Sequence, residues 1–162
     1  FDSIEDGHRS FEAKETYTYE EEKDETDLAL ALGWALAQNP GAITVFGGTG
    51  GRMDHTMGAI HLLVEDRFLQ SGIAIKVIDK QNVIEAKLPG RYTVERDRRH
   101  KYISFLPVTP TVEGITLEGF KYPLDGKGIR LGSTLCVSNE LISNIGTYSF
   151  TSGILMVIRS ND

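Results

Sequence analysis

Ala42-Ile43-Thr44-Val45-Phe46 runs straight into Gly47-Gly48-Thr49-Gly50-Gly51, and a helical pattern opening at Asp54 leads on to Ile73-Ala74-Ile75-Lys76-Val77-Ile78. The two short β-branched runs, each bounded by glycine, read as buried strands. The stretch from Asp54 to about Gln70 reads as one helix with Met57, Ile60, Leu63 or Val64 and Phe68 inward, ended by Ser71-Gly72. Upstream, Leu28 to Gln38 sets Leu28, Leu32, Ala35 and Leu36 on one face, and Asn39-Pro40-Gly41 stops it. Helix–strand–helix–strand with short connections implies a parallel sheet covered by helices.

Outward from there the pattern changes near residue 83. Short strand-like segments follow, among them Tyr92-Thr93-Val94, Tyr102 to Leu106, Gly114 to Leu117 and Ile154 to Ile158, separated by Pro, Gly, Asn and Asp. No helix is expected after residue 80. The reading is an α/β part over 1–82 followed by an all-β part over 83–162, an antiparallel sandwich or barrel. The chain opens Phe1-Asp2-Ser3-Ile4 with no methionine and no strand ahead of it, and reads as the later part of a longer protein whose parallel sheet starts upstream.

Composition narrows the function class. With 162 residues, 40% hydrophobic and 25% charged, the chain is of ordinary globular make-up. Its one cysteine, Cys136, cannot form an internal disulfide, which fits a reducing cytoplasm. No apolar run approaches the ~20 residues that span a bilayer. The net charge of −6 is uneven: residues 1–30 carry −8 and the rest +2. Generic nucleic-acid binding is disfavoured, since nothing attracts a phosphate backbone overall. Glu20 to Glu22 read as a solvated face, as does the mixed-charge run Arg91 to Lys101, taken as a hairpin.

The glycine run between strand and helix directs backbone N–H groups and a helix start towards the carboxyl edge of the sheet, where anions bind. It is no Walker A loop, because no Lys-Ser/Thr follows it, and Met53 breaks the dinucleotide fingerprint. Arg52 could clamp a phosphate at two points. Asp24 and Asp27 lie three apart at a helix start and share a face; Asp24 as N-cap with Asp27 near N3 is an equally open reading. Asp2 and Asp54 are expected at the same carboxyl edge of the sheet if a strand precedes Phe1. Carboxylates gathered there would repel by about 4 kcal/mol per close pair at an effective dielectric of about 20. A Mg²⁺ ion among them would offset this, and it favours hard oxygen ligands. His55 reads as a phosphate or network contact. It shares no helical face with His61, and no nucleophile elbow supports a hydrolase triad.

Taken in order, the motifs resemble the thiamine pyrophosphokinase family. Phe1-Asp2-Ser3-Ile4 is similar to the end of its Gly-Asp-Phe-Asp-Ser motif, whose opening Gly-Asp, with one expected metal ligand, is not in this chain. Lys23-Asp24-Glu25-Thr26-Asp27 resembles its Lys-Asp-x-Thr-Asp, and Gly51-Arg52-Met53-Asp54-His55 its Gly-Gly-Arg-x-Asp-His. Gly119-Phe120-Lys121-Tyr122-Pro123-Leu124 and Ser138-Asn139-Glu140 resemble its Gly-Leu-Lys-Tyr/Trp and Ser-Asn motifs. The resemblance implies a catalytic α/β domain, a thiamine-binding β-sandwich, and a homodimer with sites between subunits. It implies ATP as co-substrate and Mg²⁺ on Asp2, Asp27 and Asp24. It further implies phosphates held by Gly47, Gly48, Gly50, Gly51, Arg52, Thr26 and His55. Asp54 would orient the loop or accept a proton, Tyr122 would stack on thiamine, and Ser138 and Asn139 would bond its aminopyrimidine. The competing readings are transfer to a hydroxymethylpterin, a non-catalytic thiamine-binding module, and a metal-dependent phosphohydrolase.

Overall fold

The structure, a computed structural model, describes Tyr17 and residues 24–162. Asp2 and Glu20 to Glu22 therefore lie outside the described residues. The first helix, α1 (Asp27–Ala37), starts where Thr26, in extended backbone, accepts a hydrogen bond from the Ala29 amide at 3.2 Å. Asp24 is thus not the N-cap: the cap oxygen must reach the third amide of the helix, and Asp24 stands two residues too early. Asp27 instead occupies the first turn, where a negative charge suits the helix dipole. Glu25, just ahead of the cap, pairs with Arg67 at 2.5 Å and fixes the entry to the helix. Asn39, in left-handed backbone, and Pro40 end it.

Strand β1 (Ala42–Phe46) leads through the glycine run to α2 (Met53–Leu62), α3 (Asp66–Leu69) and β2 (Ala74–Ile78). The single helix expected to Gln70 is two, broken at residues 63–65. Leu63 and Phe68 are both buried on the sheet side. Five residues apart, they would stand roughly 140° from each other on one straight helix. The break lets both face inward. Met57 points outward, 43% exposed, because the buried line runs through Ala59 of α2 and Leu63 at its C-cap, four apart, and Met57 lies off it. Strand β1 is parallel to β2, as the pattern implies, but it is not buried throughout. Among the described residues it forms the sheet edge: Val45 faces the core while Phe46 is 75% exposed.

The remaining elements are strands: β3 (Asn82–Lys87), β4 (Gly90–Glu95), β5 (Tyr102–Pro107), β6 (Thr111–Glu118), β7 (Leu124–Arg130), β8 (Asn139–Glu140), β9 (Ile145–Phe150) and β10 (Leu155–Ser160). One six-stranded sheet has the order β1-β2-β3-β10-β5-β8, and a four-stranded sheet the order β4-β9-β6-β7. The change of pattern near residue 83 falls at the turn from β2 to β3, and the larger sheet runs across it through antiparallel pairs Val77–Ile84 and Ile78–Val83. Period-two alternation sorts the core: on β10, Leu155 and Val157 enter the sandwich, whereas Met156 joins Val77, Leu63 and Phe68 under the helices. The larger sheet is therefore the middle layer. Phe105 sits at the sandwich centre, its ring 4.9 Å from that of Tyr148 and 5.6 Å from that of Phe120. Cys136 is buried in the same core, and burial pushes its thiol pKa up.

Residues 91–101 are not a hairpin. β4 and β5 belong to different sheets, so the chain turns a corner between them. Arg96 donates to the carbonyls of Leu141 (2.8 Å) and Ser143 (3.2 Å), and Asp97 is hydrogen-bonded to His100 at 2.8 Å. The His100 contact, with the Arg99 amide, holds the Asp97 carboxyl down to about 2. No helix among the described residues is long and apolar enough to cross a membrane.

Candidate active site

Where β1 and β2 end side by side, the chain between β1 and α2 carries four glycines that differ in what they need. Gly47 has φ +74°, a left-handed conformation that favours glycine. A Cβ on Gly48 would lie 3.2–3.4 Å from Val45, Val77 and Ala59, so the close packing of α2 on the strands leaves room for a side chain there only if these neighbours give by a few tenths of an ångström. Gly50 and Gly51 have neither constraint: a Cβ would meet nothing within 4 Å. The protein's own packing leaves room at these two positions, and their bare backbone suits the close approach of a ligand.

The loop is tied at two points. Thr49 Oγ1 donates to Asp79 Oδ2 at 2.8 Å, and the Gly50 amide donates to Thr56 Oγ1 at 3.1 Å. Arg52 stands at the N-cap of α2 without a side-chain capping bond. Its guanidinium grips Asp54 at 2.5 and 3.2 Å. That hydrogen bond, against some desolvation and with help from the His55 amide, holds the Asp54 carboxyl down to about 2. Both side chains stay open to solvent, as does His55 in the first turn of α2.

Asp24 and Asp27 flank the Thr26 cap and are exposed. The Thr26 hydroxyl oxygen is engaged by the Ala29 amide. Among the described residues, no three His, Cys, Asp or Glu side chains converge on a point that could hold a metal ion. The expected gathering of carboxylates therefore does not appear there: Asp54 is paired with Arg52, and Asp2 lies outside the described residues.

In the sandwich, Tyr122 presents its ring to solvent at 56% exposure, with the Lys121 ammonium 5.5 Å from the ring centroid. Asn139 is 2% exposed. Its Oδ1 accepts from the Tyr122 and Glu140 amides at 3.0 and 2.9 Å, and its Nδ2 donates to the Tyr122 carbonyl at 2.8 Å. The expectation that Asn139 bonds a ligand edge meets an amide turned inward, because the adjoining Tyr122 backbone needs a partner for both its polar groups. Ser138 is exposed and held in left-handed backbone, φ +57°, with its amide on Ser104 Oγ at 3.0 Å. Such a conformation is uncommon for a residue with a side chain and clusters at functional sites.

A cleft of about 360 Å³ opens at the corner between β4 and β5, away from the glycine loop. Its cations are largely engaged: Arg96 by carbonyls, Arg159 by the Glu95 carbonyl at 2.8 Å, and Lys101 by Glu140 at 3.4 Å. It reads as a braced corner.

Asp79, Thr56 and the tethering role of Thr49 escape the sequence reading. The available signal is Asp79 at the end of an apolar run with Asn82 three residues on, a pattern of turn chemistry.

Two family models match the chain: "Thiamin pyrophosphokinase, catalytic domain" over residues 1–77, and "Thiamin pyrophosphokinase, vitamin B1 binding domain" over residues 91–155. The thiamine pyrophosphokinase of Bacillus subtilis is 51% identical across the whole chain, which spans 76% of that relative. The crystal structure of the Bacillus subtilis protein superposes with a TM-score of 0.83 at 52% identity, over 87% of this chain and 65% of that one. A family structure from Enterococcus faecalis gives 0.81 at 37% identity, over 89% and 67%. The chain thus spans about two thirds of these solved relatives and three quarters of the curated one.

Proposed function

Because the chain belongs to the thiamin pyrophosphokinase family, we propose that it transfers the diphosphoryl group of ATP to the hydroxyl of thiamine, releasing AMP. The observation that carries this reading is the glycine loop. Gly50 and Gly51 are bare without a packing or φ requirement, beside Arg52 and the N-terminus of α2, where polyphosphate charge is favoured. In this reading residues 1–82 hold the nucleotide and residues 83–162 the thiamine. The thiamine hydroxyl oxygen attacks the β-phosphorus, the bond from that phosphorus to the α,β-bridging oxygen breaks, and the bridging oxygen leaves with AMP. The hydroxyl proton passes to solvent or a base.

Positioning and charge neutralisation dominate such transfers. Arg52 supplies a two-point contact to phosphate oxygens. Asp54, with its carboxyl held at about 2 by Arg52, is a poor proton acceptor and serves to aim the guanidinium. Asp24 and Asp27 are exposed hard-oxygen donors, and one or two carboxylates beside substrate phosphates suit Mg²⁺. Bound there, Mg²⁺ would neutralise charge on the polyphosphate. Tyr122 offers a ring for the cationic thiazolium or the pyrimidine, worth about 0.5–2 kcal/mol, and Asn139 acts by fixing that residue's backbone.

A homodimer belongs to the same reading. Leu131, Leu135, Val137, Ile142 and Ile145 are exposed on or beside the loops joining β7, β8 and β9, more apolar surface than a solvated rim needs. Sedimentation should give twice the chain mass, and a monomer at micromolar concentration would remove the dimer from the proposal.

The test of the reaction is product analysis by phosphorus NMR with ATP, Mg²⁺ and thiamine. AMP and thiamine diphosphate in equal amounts are expected. ADP or free phosphate would overturn the proposal in favour of phosphoryl transfer or hydrolysis.

Two glycine variants separate structure from binding. Gly48→Ala should lower stability by about 1–3 kcal/mol through overpacking against Val45, Val77 and Ala59. Gly50→Ala should leave the melting temperature unchanged and raise the KM for ATP about tenfold, the size of effect expected where backbone must come close to a phosphate. An unchanged KM for ATP would remove Gly50 from the nucleotide site.

A further inference from the structure

Asp79 lies thirty residues beyond Thr49 and directly after β2, outside the acidic, glycine-loop and sandwich motifs. Its carboxylate has two jobs, one per oxygen. Oδ1 accepts from the Gln81 amide at 2.8 Å, the Asn82 amide at 2.7 Å and Asn82 Nδ2 at 3.0 Å, which fixes it to the β2–β3 turn. Oδ2, also near Asn82 Nδ2 at 3.1 Å, reaches across the sheet edge and accepts from Thr49 Oγ1 at 2.8 Å. Thr49 is the one side chain within the run Gly47 to Gly51.

We propose that Asp79 is a positioning residue for the nucleotide, setting the conformation of the glycine loop through the Thr49 hydroxyl. The inference rests on the ATP-binding reading above. Glycine backbone has the largest conformational freedom to lose on ordering. Gly50 and Gly51 have no steric walls of their own. A loop of this kind binds weakly unless something already holds it in its binding shape. Beside the tie from Gly50 to Thr56 of α2, Asp79 supplies that hold from the sheet side: the carboxylate is oriented by the turn before it meets Thr49, so the bond is charge-assisted and aimed. The loop backbone around the Gly50–Thr56 bond and the α2 N-terminus are then in place before ATP arrives. Partial burial pulls the Asp79 carboxyl pKa up, but the Gln81 amide, Thr49 and Asn82 together hold it below its ordinary value, so the acceptor is ionised at neutral pH.

Thr49→Val removes the hydroxyl, keeps the shape and leaves the β2–β3 turn untouched. It should weaken ATP binding, measured by calorimetry without thiamine, about tenfold, as loss of a hydrogen bond to a charged group would. The KM for thiamine should stay within about twofold, a split that general loosening of the fold would not give. Thr49→Ser should restore affinity. Asp79→Asn should weaken ATP binding similarly, and the double variant no further, since both break one link. Hydrogen exchange over residues 47–52 of the free protein should quicken in Thr49→Val and not in Thr49→Ser. Unchanged ATP affinity or unchanged exchange in Thr49→Val, or losses that multiply in the double variant, would overturn the proposal. A wild-type protein that binds ATP but makes no thiamine diphosphate would overturn the reaction alone, and one that binds no nucleotide would overturn both.

Discussion

Asp27→Asn should lower kcat by about 10²–10³-fold, the several kcal/mol that a charge acting on a polyphosphate supplies in a transfer step. The fold should survive. Thr26, not Asp27, caps α1, so the cap remains. The dipole part of what α1 loses is about 0.3–1 kcal/mol, which for a chain of this size is worth about 1–4 °C in the melting temperature. Steady-state kinetics with ATP and thiamine, paired with a thermal melt, read both quantities. Full activity would remove Asp27 from the proposed metal set. Loss of activity together with a collapsed melting curve would assign Asp27 a role in holding α1.

Phe105→Ala should be the most damaging single truncation in the sandwich, costing about 3–5 kcal/mol of a stability that for such domains totals about 5–15 kcal/mol. Phe105 is 0% exposed. It rises from β5 in the middle layer and meets Tyr148 of β9 in the outer sheet, with Phe120 against its edge. Its removal leaves a cavity between two sheets that the remaining core side chains, Ile103, Leu117, Phe120 and Tyr148 among them, hold apart. Urea unfolding should show a lower midpoint with an unchanged slope. Phe46→Ala, at a side chain 75% exposed, is the control and should stay within about 0.5 kcal/mol. A Phe105 cost below about 1 kcal/mol would mean that the sandwich core does not pack as described.

The elements whose identity rests on local period are legible in the sequence. Alternation and glycine punctuation place β1, β2, β5, β6 and β10 within a few residues, and the shift in pattern near residue 83 separates the helix-bearing part from the strands. What period alone does not reveal is which neighbour an element meets. The break between α2 and α3 follows from burying both Leu63 and Phe68, and the exposure of Phe46 from the place of β1 at the edge of the described sheet. The corner at residues 96–101 follows from β4 and β5 joining different sheets. The candidate site divides the same way. Residue types in the motifs, including Arg52, Asp54 and Tyr122, are visible by eye. Orientation is not: Arg52 turned onto Asp54, Asn139 turned onto the Tyr122 backbone, and Asp79 reaching Thr49 across thirty residues all depend on tertiary placement.

The pairing of Val77 with Ile84 and Ile78 with Val83 joins the strand that ends beside the glycine loop to the strand that enters the sandwich. No hinge of unpaired chain separates the helix-bearing part from the sandwich along this sheet, so the two parts have little freedom to swing as independent lobes. The glycine loop and the sandwich are thus carried by one hydrogen-bonded sheet and keep their places relative to each other. In the proposed reaction, selection of the acceptor would then rest on rigid geometry within each chain, and any adjustment would have to come from how two copies meet rather than from closure inside one.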